Sequence, residues 1–233
     1  MSGKTYAIAV DGPAGAGKST LAKRVAAAYL FLYLDTGAIY RTVGLAALRR
    51  GIDRKNDDAL QAILPDVHIE IRFDENVTQR MFLNGEDVSE AIRLPEISLC
   101  ASEVSALPSC RAFLLEMQRD FARKNNVIID GRDIGTVVLP NADLKIYLTA
   151  SSTERARRRL LEMQEKGVET DFETVLREIE ERDWQDMHRE IAPLCKAEDA
   201  VLVDTSELDL QESFEALCAL VEEKLPVRRE ALA

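Results

Sequence analysis

The chain is predicted to be an α/β protein, a three-layer arrangement of helices about a parallel sheet. Three observations predict it. Five short apolar runs recur along the 233 residues, helix-forming sequence separates them, and chemically capable side chains collect just past the end of each run. Strands alternating with helices imply parallel crossovers, and open α/β sheets bind ligands at the C-terminal edge of their strands.

The first run, Thr5 to Val10, ends in Asp11-Gly12 and leads through glycines into LAKRVAAAYL, a stretch of good helix formers. The second, Tyr29 to Leu34, ends in Asp35-Thr36-Gly37, where Asp or Thr can cap a helix beginning near Ile39. The third, Val127 to Asp130, ends in Gly131; the fourth, Asp143 to Thr149, precedes a long charged helical region; the fifth, Ala200 to Asp204, leads to a last helix ending near Leu225. Between His68 and Val88 the period changes to alternation, with turn signals at Asp74-Glu75-Asn76 and Asn84-Gly85, so a small antiparallel insertion is expected there. From Ser152 to about Glu190 the chain is charged and helical in composition, broken at Gly167. No repeat, low-complexity tract or Pro/Gly linker divides the sequence, which favours lobes on one core over independent domains.

A hydrophobic fraction of 46% suffices for a sizeable core. The segment MSGKTYAIAVDG has no apolar core of signal-peptide length, and no stretch approaches the roughly 18 apolar residues of a membrane span, so a cytoplasmic, unanchored protein is expected. Cys100, Cys110, Cys195 and Cys218 are scattered without CxxC or His spacing, which suits free thiols better than zinc or disulfides. The net charge of −11 repels polyanions and anionic membranes, so any phosphate site must concentrate positive charge locally.

One such concentration is explicit. Gly12-Pro13-Ala14-Gly15-Ala16-Gly17-Lys18-Ser19, followed by Thr20, matches G-x-x-x-x-G-K-[ST] between an expected strand and an expected helix. Its glycines let successive N–H groups converge at a helix N-terminus, forming an anion cradle. Lys18 supplies charge for the outer phosphates of a nucleoside triphosphate, and the Ser19 hydroxyl suits Mg²⁺. The N-K-x-D motif of guanine-reading GTPases is missing, and Asp130 at a strand end suits a metal-linked carboxylate.

Three further clusters pair arginine with aspartate: Asp35 to Arg41, Asp130-Gly131-Arg132-Asp133, and Arg182 to Arg189. Guanidinium groups bind phosphate bidentately, and carboxylates accept from ribose hydroxyls or an exocyclic amine, so a second nucleotide site is expected. On a helix Arg182, Asp186 and Arg189 fall at i, i+4 and i+7, on one face. Arg155, Arg157, Arg158 and Arg159 crowd another stretch; Glu154, Glu162 and Glu165 could simply solvate it, or it could close over ATP as a lid.

The segments DGPAGAGKST, YLDTGAIYR, IDGRDIGTVVLPNADLKIYLTAS, ERARRR and RDWQDMHREIAPL resemble the bacterial cytidylate kinase family over essentially the whole chain. The resemblance implies a P-loop NTPase fold: a five-stranded parallel core, a helical lid, and a monophosphate-binding insertion holding the small antiparallel sheet. One unit of residues 1–233 is expected, with core 1–37, 101–150 and 191–233, insertion about 38–100, and lid about 151–190. The implied reaction moves the γ-phosphoryl of ATP, with Mg²⁺, onto CMP or dCMP in a monomeric enzyme with small-molecule partners only. Lys18, Arg132, Asp133 and Arg158 are the implied catalytic groups. Thr36, Arg111, Asp133, Arg182 and Asp186 would surround the cytosine and sugar; Tyr40, Arg41, Arg132 and Arg189 would flank the acceptor phosphate or sugar, with Asp130 beside them. Cytosine donates from N4 and accepts at N3 and O2, so a carboxylate, arginine and hydroxyl satisfy it, while uracil would set an acceptor against the carboxylate.

His188 stands where the family usually has Asn, and is expected to face solvent; Cys110 and Cys195 also depart from the pattern. Trp184 is expected to pack rather than stack on a base. Two other readings stay open at this stage: a kinase for UMP or AMP, and an ATP-dependent switch without phosphoryl transfer.

Overall fold

The computed structural model describes residues 4–165 and 167–230. Met1–Gly3, at the head of the segment examined for a leader, Lys166 in the charged region, and residues 231–233 at the end of the expected unit lie outside them. In chain order the elements are β1 (Ala7–Asp11), α1 (Lys18–Ala28), β2 (Leu32–Asp35), α2 (Thr36–Arg49), α3 (Asp57–Ile63), β3 (Ile69–Phe73), β4 (Gln79–Leu83) and β5 (Glu86–Asp87). There follow α4 (Pro95–Ser105), α5 (Pro108–Lys124), β6 (Val127–Gly131), β7 (Leu144–Thr149), α6 (Ser152–Glu165), α7 (Phe172–His188), β8 (Val201–Asp204) and α8 (Leu210–Lys224). The expected architecture is found: a five-stranded parallel sheet of order β2-β6-β1-β7-β8 and a three-stranded sheet of order β3-β4-β5. Two compact units divide the chain, Met1–Phe31 with Asn126–Ala233, and Leu32–Asn125. No helix among the described residues is long and apolar enough to cross a membrane.

In the first unit, β1 pairs in parallel with β6 and β7, and β7 with β8. Ile8, Ala9 and Val10 of β1 and Val127, Ile128 and Ile129 of β6 are all buried. Such continuous apolar runs belong to strands covered on both faces, which is why they were legible without alternation. β8 instead alternates, with Leu202 exposed, as an outer strand does. A capping box of Asp209 and Glu212 opens α8, which packs on α1. Helices α6 and α7 form a hairpin with an apolar core of its own, Ala156, Val175 and Ile179 backed by Leu160, Met163, Phe172 and Leu176. Gly167 takes the positive φ of 72° needed between the helices.

The second unit begins with β2, which is shorter than the apolar run suggested. Tyr29 caps the C-terminus of α1, its hydroxyl bonded to Glu222 and the Cys218 carbonyl, and Leu30 turns with φ 55°, so extended structure starts only at Leu32. Helix α2 starts at Thr36 rather than near Ile39, because the Asp35 carboxylate accepts from Ala38 N at 2.9 Å and caps it. The β3–β4 hairpin is antiparallel, and Asn84 and Gly85 at the next turn both take positive φ, 51° and 85°, as a two-residue mirror-image turn requires. The sequence reading had no counterpart for the close approach of α2 to α4, where an added Cβ on Gly44 would lie 3.0 Å from Ala101 N and from Cys100 Cβ. All four cysteines are free, and only Cys195 is exposed.

One glycine fixes the route out of β1. A Cβ on Gly12, at φ 150°, would fall 1.9 Å from the Leu148 carbonyl oxygen of β7, so the loop leaves the sheet over bare backbone. Gly12→Ala is therefore expected to cost on the order of 2–4 kcal/mol of stability in urea unfolding. Gly85→Asn, at a positive φ that Asn tolerates and with nothing within 4 Å of the added Cβ, should cost under about 1 kcal/mol.

Candidate active site

In the first unit the loop after β1 wraps into α1 without a side-chain cap: Gly17 occupies the N-cap position with φ 81°. The first-turn N–H groups of α1 thus stay available to an anion, as the sequence reading of Gly12 to Thr20 required. Lys18 is buried and folds back, its Nζ donating to the Pro13 carbonyl at 2.7 Å. Burial first, and then the charge of Arg132, hold the Lys18 amine well below its ordinary range, while Asp130, Asp186 and Asp11 pull the other way. A multiply charged anion arriving at the loop would draw the amine back toward its ordinary range. Ser19 Oγ donates to Asp130 Oδ2 at 2.7 Å, bringing hydroxyl and carboxylate to one point at the end of β6.

Asp11, overlooked in the sequence except as a turn residue, ends β1 and is buried. Its two oxygens accept from Ile134 N at 2.8 Å and Gly135 N at 2.7 Å, securing the start of a π-helical turn, Ile134–Val138, directly after Arg132 and Asp133. Burial pushes the Asp11 carboxyl up to about 6, against the pull of those two N–H groups.

Arg132 and Asp133 are fixed from the C-terminal end of α7. Arg132 Nε meets Asp186 Oδ2 at 2.6 Å, and Arg189 Nη2 meets Asp133 Oδ1 at 3.3 Å while its Nε donates to the Ala192 carbonyl. Burial opposes ionisation of Asp186, but Arg132, then Arg182 and Arg189, outweigh it and hold the carboxyl below its usual value. Toward the C-terminal end of α7 the inward positions are Asp183 and the half-buried Asp186, and Arg182 is exposed. The expected i, i+4, i+7 stripe is therefore cut short, since α7 ends at His188 and Arg189 is already extended. His188 is exposed, as expected, and stacks on Trp184 with ring centroids 4.7 Å apart. Trp184 does not pack inward: it is 63% exposed.

Arg158 is drawn to the β8–α8 connection. Its Nη2 donates to the carbonyls of Thr205 and Leu208, its Nη1 to Thr205 Oγ1, and its Nε to Glu154. The arginine of this run that reaches the phosphate loop is Arg155, paired with Asp183.

In the second unit Asp35, besides capping α2, holds Arg41 at 2.9 Å and Arg93 at 3.1 Å through one oxygen. Gln79 of β4 grips the Asp35 backbone on both sides, accepting from its N–H at 2.8 Å and donating to its carbonyl at 3.3 Å. Arg41 Nε is buried without a hydrogen-bond partner among the described residues, so this guanidinium keeps a donor for a further acceptor. Thr36, next to Asp35 in sequence, is buried, and the Arg111 guanidinium, donating to the Ser105 carbonyl, lies 5.7 Å from the Tyr40 ring centre. Arg93 and Gln79 carry no local motif that would have singled them out.

Comparison with known proteins places the sequence in a family. The family model described as cytidylate kinase matches residues 8–223. A cytidylate kinase of Caldicellulosiruptor bescii is 47% identical over 217 residues, covering 93% of this chain and 96% of that protein. One from Vibrio vulnificus is 44% identical over 226 residues, covering 97% and 99%. An uncharacterized protein from Eubacterium ventriosum shares the fold, with TM-score 0.55 at 14% identity over 94% of this chain and 99% of its own.

Asp11 gives a pH signature. Its carboxyl binds a proton more tightly in the folded than in the unfolded chain, so its contribution to stability is present below pH about 4 and is lost as pH rises to about 6. Relative to Asp11→Asn, the wild-type protein should lose on the order of 2–3 kcal/mol in urea unfolding across that window; a constant difference would contradict the burial of a titrating group here. A phosphate-loop cradle, a Ser–Asp pair at its foot and arginines held ready by carboxylates accord with the matches above, and the chain belongs to the cytidylate kinase family.

Proposed function

We propose that the protein transfers the γ-phosphoryl group of ATP to CMP or dCMP, giving ADP and CDP or dCDP. The observation that carries this reading is the buried Lys18 at the phosphate loop of a chain nearly half identical to cytidylate kinases. The acceptor oxygen of a monophosphate is already an anion near neutral pH, so no general base is required, and catalysis rests on positioning and charge neutralisation.

In this proposal the loop from Gly12 to Thr20 binds the phosphates of ATP, and Lys18 neutralises the outer ones. Mg²⁺ fits the hard oxygen donors at Ser19 and Asp130, which would hold it together with the phosphates; the ion supplies charge at the transferring group. Arg132 and Asp133 act as catalytic groups in the proposal, with Arg189 and Arg182 alongside. For Arg158 a role at the outer phosphates requires it to exchange its bonds to Thr205 and Leu208. The acceptor phosphate is assigned to Arg41, whose spare Nε donor supports that choice, with Tyr40. Thr36, Arg111, Asp133 and Asp186 are assigned to the cytosine and sugar. The reading implies a monomeric cytoplasmic enzyme with small-molecule partners.

ADP release measured with ATP, Mg²⁺ and separately CMP, dCMP, UMP, AMP and GMP should show fast turnover with CMP and dCMP alone. Strong activity with another monophosphate would overturn the base assignment, and ATP binding without any acceptor-dependent turnover would favour a switch. Lys18→Ala should lower kcat by on the order of 10²-fold or more while CMP binding persists. Asp186→Ala, which strands Arg132, should raise KM for CMP about tenfold and KM for ATP much less; equal rises would contradict the assignment.

A further inference from the structure

The proposed reaction leaves unused a second buried ion pair, Arg155 of α6 with Asp183 of α7, both more than nine-tenths buried and joined Nη2 to Oδ2 at 2.6 Å. Their remaining atoms converge on a single residue of the phosphate loop. Arg155 Nη1 donates to the Ala14 carbonyl at 2.8 Å, and Asp183 Oδ1 accepts from Ala14 N–H at 3.2 Å. Arg155 Nε donates to the Ala150 carbonyl at 2.9 Å, which ties the same guanidinium to the end of β7. One residue later the loop touches the hairpin directly: a Cβ on Gly15 would lie 3.4 Å from Arg155 Cβ and 3.8 Å from Ile179 Cδ1.

A structural reading of this pair is weak. A buried ion pair repays its desolvation poorly, and an apolar pair of similar volume would hold α6 to α7 at least as well, next to Ala156, Val175 and Ile179. What an apolar pair could not do is occupy both polar groups of the Ala14 residue. With that N–H committed to Asp183, it cannot turn toward a bound phosphate without uncovering a buried carboxylate. The direction of the following N–H groups, from Gly15 into α1, is fixed as a consequence.

We propose that Arg155 and Asp183 are positioning residues for the triphosphate: together they clamp Ala14, set the aim of the phosphate loop, and link the α6–α7 hairpin to the geometry of that loop. The inference rests on reading Gly12 to Thr20 as the ATP cradle, but not on the identity of the acceptor. Asp183→Asn keeps the shape and loses the charge; Arg155→Lys keeps the charge but cannot span Ala14 and Asp183 together. Each should lower kcat/KM for ATP at least about tenfold while KM for CMP stays within about twofold. Unchanged ATP kinetics, or ATP and CMP constants rising in parallel, would overturn the proposal.

A measurement on the unaltered protein removes dependence on the variants' folding and on the acceptor. The Ala14 amide, followed by hydrogen exchange in NMR spectra, should be protected both before and after MgADP is added. An amide that exchanges freely and becomes protected only with MgADP would show that the nucleotide, not Asp183, takes this N–H. Failure of the CMP assay with a protected Ala14 would instead count against the acceptor assignment alone.

Discussion

Lys18 is a cation that the fold has taken out of water, and much of the first unit is arranged around the cost of doing so. A buried ammonium without compensation would cost several kcal/mol or give up its proton. Three carboxylates, Asp130, Asp186 and Asp11, bear on it from β6, α7 and β1, while Arg132 adds a second positive charge. The balance leaves the amine proton loosely held, with a neutral carbonyl, that of Pro13, accepting its hydrogen bond. A phosphate chain would be the counter-ion that completes the set, so the same arrangement that is costly for the protein alone favours binding of a polyanion. The glycines at 12, 15 and 17, all at positive φ, let the backbone close round that point.

The carboxylates do more than balance charge. Arginine loses much rotamer freedom when it is immobilised, and an arginine already held loses less on binding. Asp186 holds Arg132 through Nε and Asp133 holds Arg189 through one amino group. In the other unit Asp35 holds Arg41 through Nη2, and Gln79 holds Asp35 by its backbone, so the support for that arginine reaches back to the antiparallel sheet. The arrangement recurs: an aspartate takes one edge of a guanidinium and fixes its direction. A small antiparallel sheet therefore has a chemical consequence, because β4 supplies the residue that fixes the cap of α2.

How much of this could be read from the sequence depends on the distance between the residues involved. The phosphate loop was legible because eight consecutive positions carry it, and the central strands because burial on both faces writes unbroken apolar runs such as VIID. The Asn84-Gly85 turn was legible for the same local reason. The Ala14 clamp was not, since its partners lie 141 and 169 residues away in the chain. Nor was Arg93, 58 residues from Asp35. The arginine run on α6 shows the limit most clearly. Composition could not say which arginine turns inward, because that depends on helical phase, and the phase is set by Ala156 and Leu160 packing against α7. The outcome is that Arg155 is buried, Arg157 and Arg159 are largely exposed, and Arg158 lies between them.

That phase has a mechanistic consequence for the hairpin. Arg155 and Arg158 are three residues apart and so project from neighbouring positions on α6. The first is bonded to the phosphate loop and the end of β7; the second to the β8–α8 connection. Helix α6 is thus fastened at its N-terminal end to two loops at the C-terminal edge of the sheet, while beyond Arg158 it packs on α7 through a small apolar core. Stiffness should therefore decrease along α6 from Arg155 toward Glu165. Movement of the hairpin would turn about the arginines rather than about the Gly167 connection.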